Sequence, residues 1–150
     1  MTHNPVWGLL LDFYVDNLYV SKGEEYLRFD RLVKVWQYNP QELVTETHGL
    51  IFETESDCCS ETWFADIVGV QNLLKATITG VEILQLPDPE DARGRQEWDE
   101  AYGVKLKTTK GTCDIIYRNS SNGYYSGSAR PCKAMPEGVE WVEITDDWQA

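Results

Sequence analysis

Apolar and polar residues alternate with a period of two along much of the chain, the spacing of a half-buried β-strand. Residues 77–86 set Ile78, Gly80, Glu82, Leu84 and Leu86 against Thr77, Thr79, Val81, Ile83 and Gln85. Val104 and Leu106 alternate with Lys105 and Lys107, residues 108–111 (TTKG) offer a turn, and Cys113, Ile115 and Tyr117 then share one face of residues 112–118. That pattern predicts a hairpin. Asn122-Gly123 follows, a dipeptide suited to positive φ in a tight turn, so residues 124–126 are expected to return as a third antiparallel strand. Residues 25–29 and 49–55 are short aromatic and branched runs that also read as strands.

One segment breaks the period. Ser60 can cap a helix, Glu61 suits its positive end, Trp63, Phe64, Ile67 and Val68 fall at i, i+3, i+4 spacing, and Gly69 can end it. The spacing predicts a helix from Ser60 to Val68, with a further turn over 70–75 and a short helix in residues 6–20 ahead of Asp16. The expected fold is α+β: a single domain with a mostly antiparallel β-sheet and one or two short helices packed on one face. Its expected parts are an N-terminal extension (1–23), a core (24–130) carrying an acidic loop (87–100), and an acidic tail (134–150) in which Trp141 and Trp148 could dock.

Composition narrows the class. The chain has 150 residues, 42% hydrophobic and 25% charged, enough apolar material for one folded core. Thirteen Lys and Arg against 25 Asp and Glu leave a net charge of −12, which argues against direct binding to nucleic acid or to an anionic membrane. The longest early apolar run is six residues, Val6 to Leu11, followed by Asp12, too short for a signal peptide or a span, so a cytoplasmic setting with reduced thiols is expected. The charge is segregated. Residues 35–74 hold seven acids and no Lys or Arg, whereas residues 101–133 hold six bases against Asp114 alone, so acidic and basic strands are expected to pair across a sheet.

Two strings stand out. Asp57-Cys58-Cys59-Ser60-Glu61-Thr62-Trp63 runs into an apolar stretch and Gly69, and Lys110-Gly111 leads to Arg118-Asn119-Ser120-Ser121-Asn122-Gly123-Tyr124-Tyr125. In these motifs, D-C-C-S-x-x-W and R-N-S-S-N-G-Y-Y, and in their order, roughly from residue 25 to residue 128, the chain resembles a family of small bacterial and phage proteins that carry a domain-of-unknown-function label. The resemblance implies a fold and a pair of motifs but no chemistry.

Each motif has a structural and a functional reading. Cys58 and Cys59 would sit at a helix N-terminus, where a thiolate is stabilised, and are the reactive-thiol candidates. Asp57 and Glu61 flank them with the wrong sign, and His48 is the one candidate base, so buried thiols at a turn are the simpler reading. Adjacent cysteines cannot easily share one tetrahedral zinc with His48 and Cys113, so no metal and no cofactor is expected. Arg118, Asn119, Ser120, Asn122, Tyr124 and Tyr125 supply a guanidinium fork, amides, a hydroxyl and phenols, the inventory for gripping an anion beside a planar ring. Turn formation and sheet packing account for the same residues without a ligand. Trp36 and Trp63 are expected in the core, Trp98 and Trp148 against a partner.

The reading that follows is a non-catalytic, acidic, cytoplasmic interaction protein engaging a basic protein partner, in a phage–host or toxin-neutralising setting. The alternative is a module for a small anionic, nucleotide-like ligand using residues 118–125. A thiol-dependent enzyme using Cys59 ranks third, because neither base nor orienting group is evident beside it.

Overall fold

A computed structural model describes residues 6–56, 59–123 and 127–150. Among these residues ten strands run in chain order: β1 (Asn17–Ser21), β2 (Tyr26–Tyr38), β3 (Gln41–Glu55), β4 (Ser60–Val68), β5 (Ile78–Gln85), β6 (Trp98–Thr108), β7 (Gly111–Ser121), β8 (Ser128–Pro131), β9 (Trp141–Glu143) and β10 (Trp148–Gln149). They form two antiparallel five-stranded sheets, ordered β8-β3-β2-β1-β9 and β10-β4-β7-β6-β5. One core lies between them. Leu18, Phe29 and Phe52 of the first sheet meet Phe64, Ile67, Leu106 and Ile115 of the second, all fully buried. The helical elements among the described residues are two 3₁₀ turns, Trp7–Leu10 and Val70–Asn72. None is long and apolar enough to cross a membrane.

The α+β expectation is therefore corrected to an all-β architecture, and the Ser60–Val68 helix is strand β4. A β-bulge explains the misleading spacing. Phe64 pairs with Tyr117, but the next pair is Asp66 with Ile116, so Ala65 is an extra residue in β4. Phe64 and Ile67, three apart, consequently both enter the core, an i, i+3 relation that a regular strand cannot produce. Trp63 is buried too, but against the opposite face of the sheet, so β4 is apolar on both sides and lacks the alternation that marks strands elsewhere in the chain. Gly69 does take a positive φ, +93°, but it ends a strand; a Cβ there would lie 2.5 Å from the Thr112 carbonyl oxygen.

Three other expectations change. The opening helix is the 3₁₀ turn Trp7–Leu10, which leads through Phe13 and Val15 into β1 and delivers buried side chains to the core. The tail contributes an edge strand to each sheet: β9 pairs with β1, β10 with β4. Trp148 packs on the core and Trp141 lies beside the Arg28 guanidinium, so both dock within the chain. Trp36, expected in the core, is 58% exposed.

Trp36 stands on a projecting arm. Strands β2 and β3 pair through all of Tyr26–Tyr38, but β1 covers only Leu27 to Asp30 and β8 only Phe52 to Glu55. Beyond them the hairpin continues for about eight residues with no third strand among the described residues, roughly 25 Å at the rise of an extended chain. The hairpin of β6 and β7 falls as the alternation predicts, with Lys105 opposite Asp114 and the turn at Thr109-Lys110. Gly123 has φ +101° as the Asn-Gly turn requires; residues 124–126, expected as a third strand, lie outside the described residues, and the next described strand, β8, joins β3 in the other sheet.

Candidate functional site

Strand alternation divides the Arg118 motif between two faces. Tyr117 and Asn119 point inward: Tyr117 enters the core, and Asn119 Nδ2 donates to Thr62 Oγ1 at 3.0 Å. Arg118 and Ser120 point to the outer face of the second sheet, where residues 87–97 fold across β4 and β7. The motif is thus not one cluster. Asn122 is exposed at the turn. Tyr124 and Tyr125 lie outside the described residues, as does Cys58.

The covering segment is tied to the sheet at several points, among them Arg95 on Glu61 of β4 at 3.3 Å. Ser120 Oγ accepts hydrogen bonds from the backbone N–H groups of Arg95 and Gln96, at 3.0 and 2.6 Å. Arg93 forks onto Asp66 of β4 through Nη1 and Nη2, at 3.1 and 3.0 Å. Asp91 links the two arginines: its Oδ1 accepts from Arg118 Nη1 at 2.6 Å and its Oδ2 from Arg93 Nη2 at 3.2 Å. These bonds hold the Asp91 carboxyl at about 2, below its ordinary 3.8, with Arg118 the largest cause. Trp63 lies beneath two of the three arginines of this face, with the Arg95 guanidinium 4.3 Å and that of Arg118 5.5 Å from its ring centre.

Arg118 is the unusual member. Its residue is 1% exposed, yet Nε and Nη2 make no hydrogen bond among the described residues, so the charge rests on one carboxylate that is itself 46% exposed. A buried donor without an acceptor costs about 1–3 kcal/mol. The residue borders a cavity of about 480 Å³ whose wall also includes Leu86, Pro89, Ile116 and the carboxylates of Asp88 and Glu90. Of this site, the sequence pointed to Arg118 and Ser120. It placed Trp63 in the core rather than at a site, and it did not point to Asp66, Asp91 or Arg93, which only the fold brings within reach. The one signal was the alternation of proline and acid over residues 87–91 ahead of Arg93.

The charge pairing follows the expected lines only in part. Arg130 of β8 meets Glu53 and Glu55 of β3 at 2.6 and 3.0 Å, joining the basic island to the acidic stretch. Arg118 instead pairs with Asp91 in the loop, and Lys107 with Glu82 of β5.

The thiol candidates are dispersed. Cys59 is exposed and precedes a strand, so no helix dipole acts on it. His48 sits opposite Arg31 on the arm, with Nε2 3.1 Å from Glu46 Oε2. Burial pushes the Cys113 thiol up to about 12 and Cys132 to about 11. Labelling native protein with a maleimide at neutral pH, followed by peptide mass mapping, is expected to modify Cys59 ahead of Cys132 and to spare Cys113 until the protein unfolds. Early labelling of Cys113 would show that the second sheet opens readily.

Comparisons with known proteins address membership rather than chemistry. Over 82 residues the chain is 35% identical to "Uncharacterized protein L278" of Acanthamoeba polyphaga mimivirus, an alignment covering 51% of this chain and 63% of that protein. The chain thus spans a little under two thirds of that relative's length. No solved structure matches. Residues 24–130, which carry β2 to β7 and the Arg118 cavity, match the domain of unknown function DUF7448, and the chain belongs to that family.

Proposed function

We propose that this is a non-catalytic binding protein whose projecting hairpin anchors a basic protein partner. The observation that carries the reading is the arm's composition. Leu32, Trp36, Tyr38 and Leu43 lie on one face, by strand alternation and the pairing of Trp36 with Leu43, and are 45%, 58%, 82% and 58% exposed. Exposed large apolar side chains gathered on one face mark an interaction surface, and a two-stranded ribbon gains little stability from displaying them. Trp and Tyr are also the residues most used to anchor an interface.

Charge supports the choice of partner. The chain carries −12 overall, so a basic protein is steered toward it, while the apolar face of the arm itself bears a single charge, Lys34. Exposed indole and phenol rings then offer their faces to Lys and Arg of the partner. A phage–host or toxin-neutralising role is one setting in which such a protein acts.

The test is to recover proteins that bind the full chain in its native host, identify them, and remeasure affinity with purified components. The expected partner is basic, its affinity falls as salt rises, and Trp36→Ala combined with Tyr38→Ala weakens it at least tenfold, about 1.4 kcal/mol, without lowering the chain's stability. A partner that binds the double variant equally well, or one that is acidic, would overturn the reading, as would arm-dependent dimerisation in sedimentation runs that exclude the partner.

A further inference from the structure

The Arg118 cavity has features that the hairpin reading does not use. In Arg28, Nε and Nη2 form a fork that grips Asp30 with two bonds of 2.8 Å. The same edge of Arg118 makes no hydrogen bond among the described residues, although the residue is almost wholly buried and lines a cavity of about 480 Å³. Asp91 holds only Nη1, and it does so from an exposed loop. A carboxylate ligand therefore has a counterpart already present: Asp91 occupies the guanidinium as an internal substitute for it.

The charge of the wall selects among anions. Asp66 is engaged by Arg93, and Asp91 by Arg93 and Arg118. Asp88 and Glu90, both exposed, make no ion pair among the described residues, so the four acids and two arginines of the wall sum to −2. A polyphosphate would add charge of the wrong sign. A single carboxylate that also carries cationic groups would not, and Leu86, Pro89 and Ile116 give an aliphatic stem apolar contact.

We propose that this cavity binds a basic α-amino acid, its carboxylate replacing Asp91 on the Arg118 guanidinium and spanning the Nε/Nη2 fork, and its two cationic groups lying against Asp88 and Glu90. Asp91, which holds the buried guanidinium through Nη1, must swing away for the carboxylate to reach it, so Asp91 acts as the latch while Arg93 on Asp66 and the Ser120 bonds keep the segment that carries Asp88 and Glu90 on the sheet. A lysine at position 118 keeps the charge but cannot present a planar fork.

The test titrates the full chain with L-arginine, with agmatine, which lacks the carboxylate, and with inorganic phosphate. Binding is followed by the NMR signal of the Arg118 Nε–H group, assigned by its loss in Arg118→Lys, and by calorimetry. L-Arginine is expected to shift that signal at millimolar concentration, and agmatine and phosphate are not. Asp91→Asn, which weakens the latch while keeping an acceptor for Arg118, is expected to tighten L-arginine binding by about tenfold. Asp88→Asn with Glu90→Gln is expected to weaken it by a similar factor. Arg118→Lys should abolish it with the fold retained. Should Arg118→Lys fail to fold, the Asp91 and rim variants carry the test. No response to L-arginine would overturn the proposal. Phosphate binding as tight as L-arginine, indifferent to the rim variant, would show a general anion site instead and overturn the amino acid assignment. An Asp91→Asn variant with unchanged affinity would overturn the latch.

Discussion

Replacing Trp7 by alanine is expected to cost roughly 3–5 kcal/mol, the range for a large aromatic removed from a close-packed core. Trp7 is 1% exposed, its ring stacks on Phe52 with centroids 4.5 Å apart, and it lies 6.3 Å from Tyr117. Phe52 belongs to the first sheet and Tyr117 to the second, so this one side chain bridges the two layers. Because it reaches the core from a short 3₁₀ turn tied by a backbone bond from Asp12 N–H to the Ile78 carbonyl, the surrounding strands cannot collapse into the space it leaves. For a chain of this length such a loss lowers Tm by roughly 2–4 °C per kcal/mol. Urea unfolding followed by circular dichroism measures it, with Trp36→Ala as the exposed control at less than about 0.5 kcal/mol. A Trp7→Ala cost near that of the control would show that the opening segment is dispensable to the core.

Trp7 also shows where the sequence was silent. Nothing in residues 6–20 signals that Trp7, Leu10, Phe13 and Val15 enter a core built mainly by strands far along the chain. The β6–β7 hairpin was legible because both of its strands alternate and its turn is local, so short-range chemistry decides it. Strand β4 was not, since the bulge at Ala65 imposes a helical spacing and the second apolar face, at Trp63, depends on a loop some thirty residues away. The arm misled for a related reason. Leu32, Val33, Val35 and Trp36 make an apolar run that suits a core, and only the shortness of β1 and β8 leaves that stretch without a third strand among the described residues. At the cavity, Arg118 stood out as a guanidinium in a polar run, but its partner Asp91 and neighbour Trp63 come from separate elements, and no local pattern joins them.

Arg118→Met is expected to stabilise the protein by about 1–3 kcal/mol, the opposite sign to most buried substitutions. The arginine is buried as a charge that has, among the described residues, two unmatched donors and a single half-exposed counter-ion. Methionine keeps much of the volume, removes both unmatched donors, and adapts to the apolar wall offered by Ala101, Ile116 and Trp63. The losses are small. Asp91 retains the Arg93 backbone N–H at 3.0 Å and its guanidinium contacts, and Arg95, closer to the indole than Arg118 is, still covers Trp63. The pH dependence gives a second check. In the parent protein the Asp91 carboxyl is depressed from 3.8 to about 2, so its contribution to stability is present above pH 3.8 and is lost as pH falls through about 2. Arg118 is the largest cause of that depression, so in Arg118→Met the loss over this window should shrink. Urea midpoints at neutral and acid pH, with unchanged m, measure both effects. A destabilised Arg118→Met would make the arginine a structural element of the sheet. A stabilised variant that no longer binds L-arginine would show a charge kept at the expense of stability, as residues held for binding are.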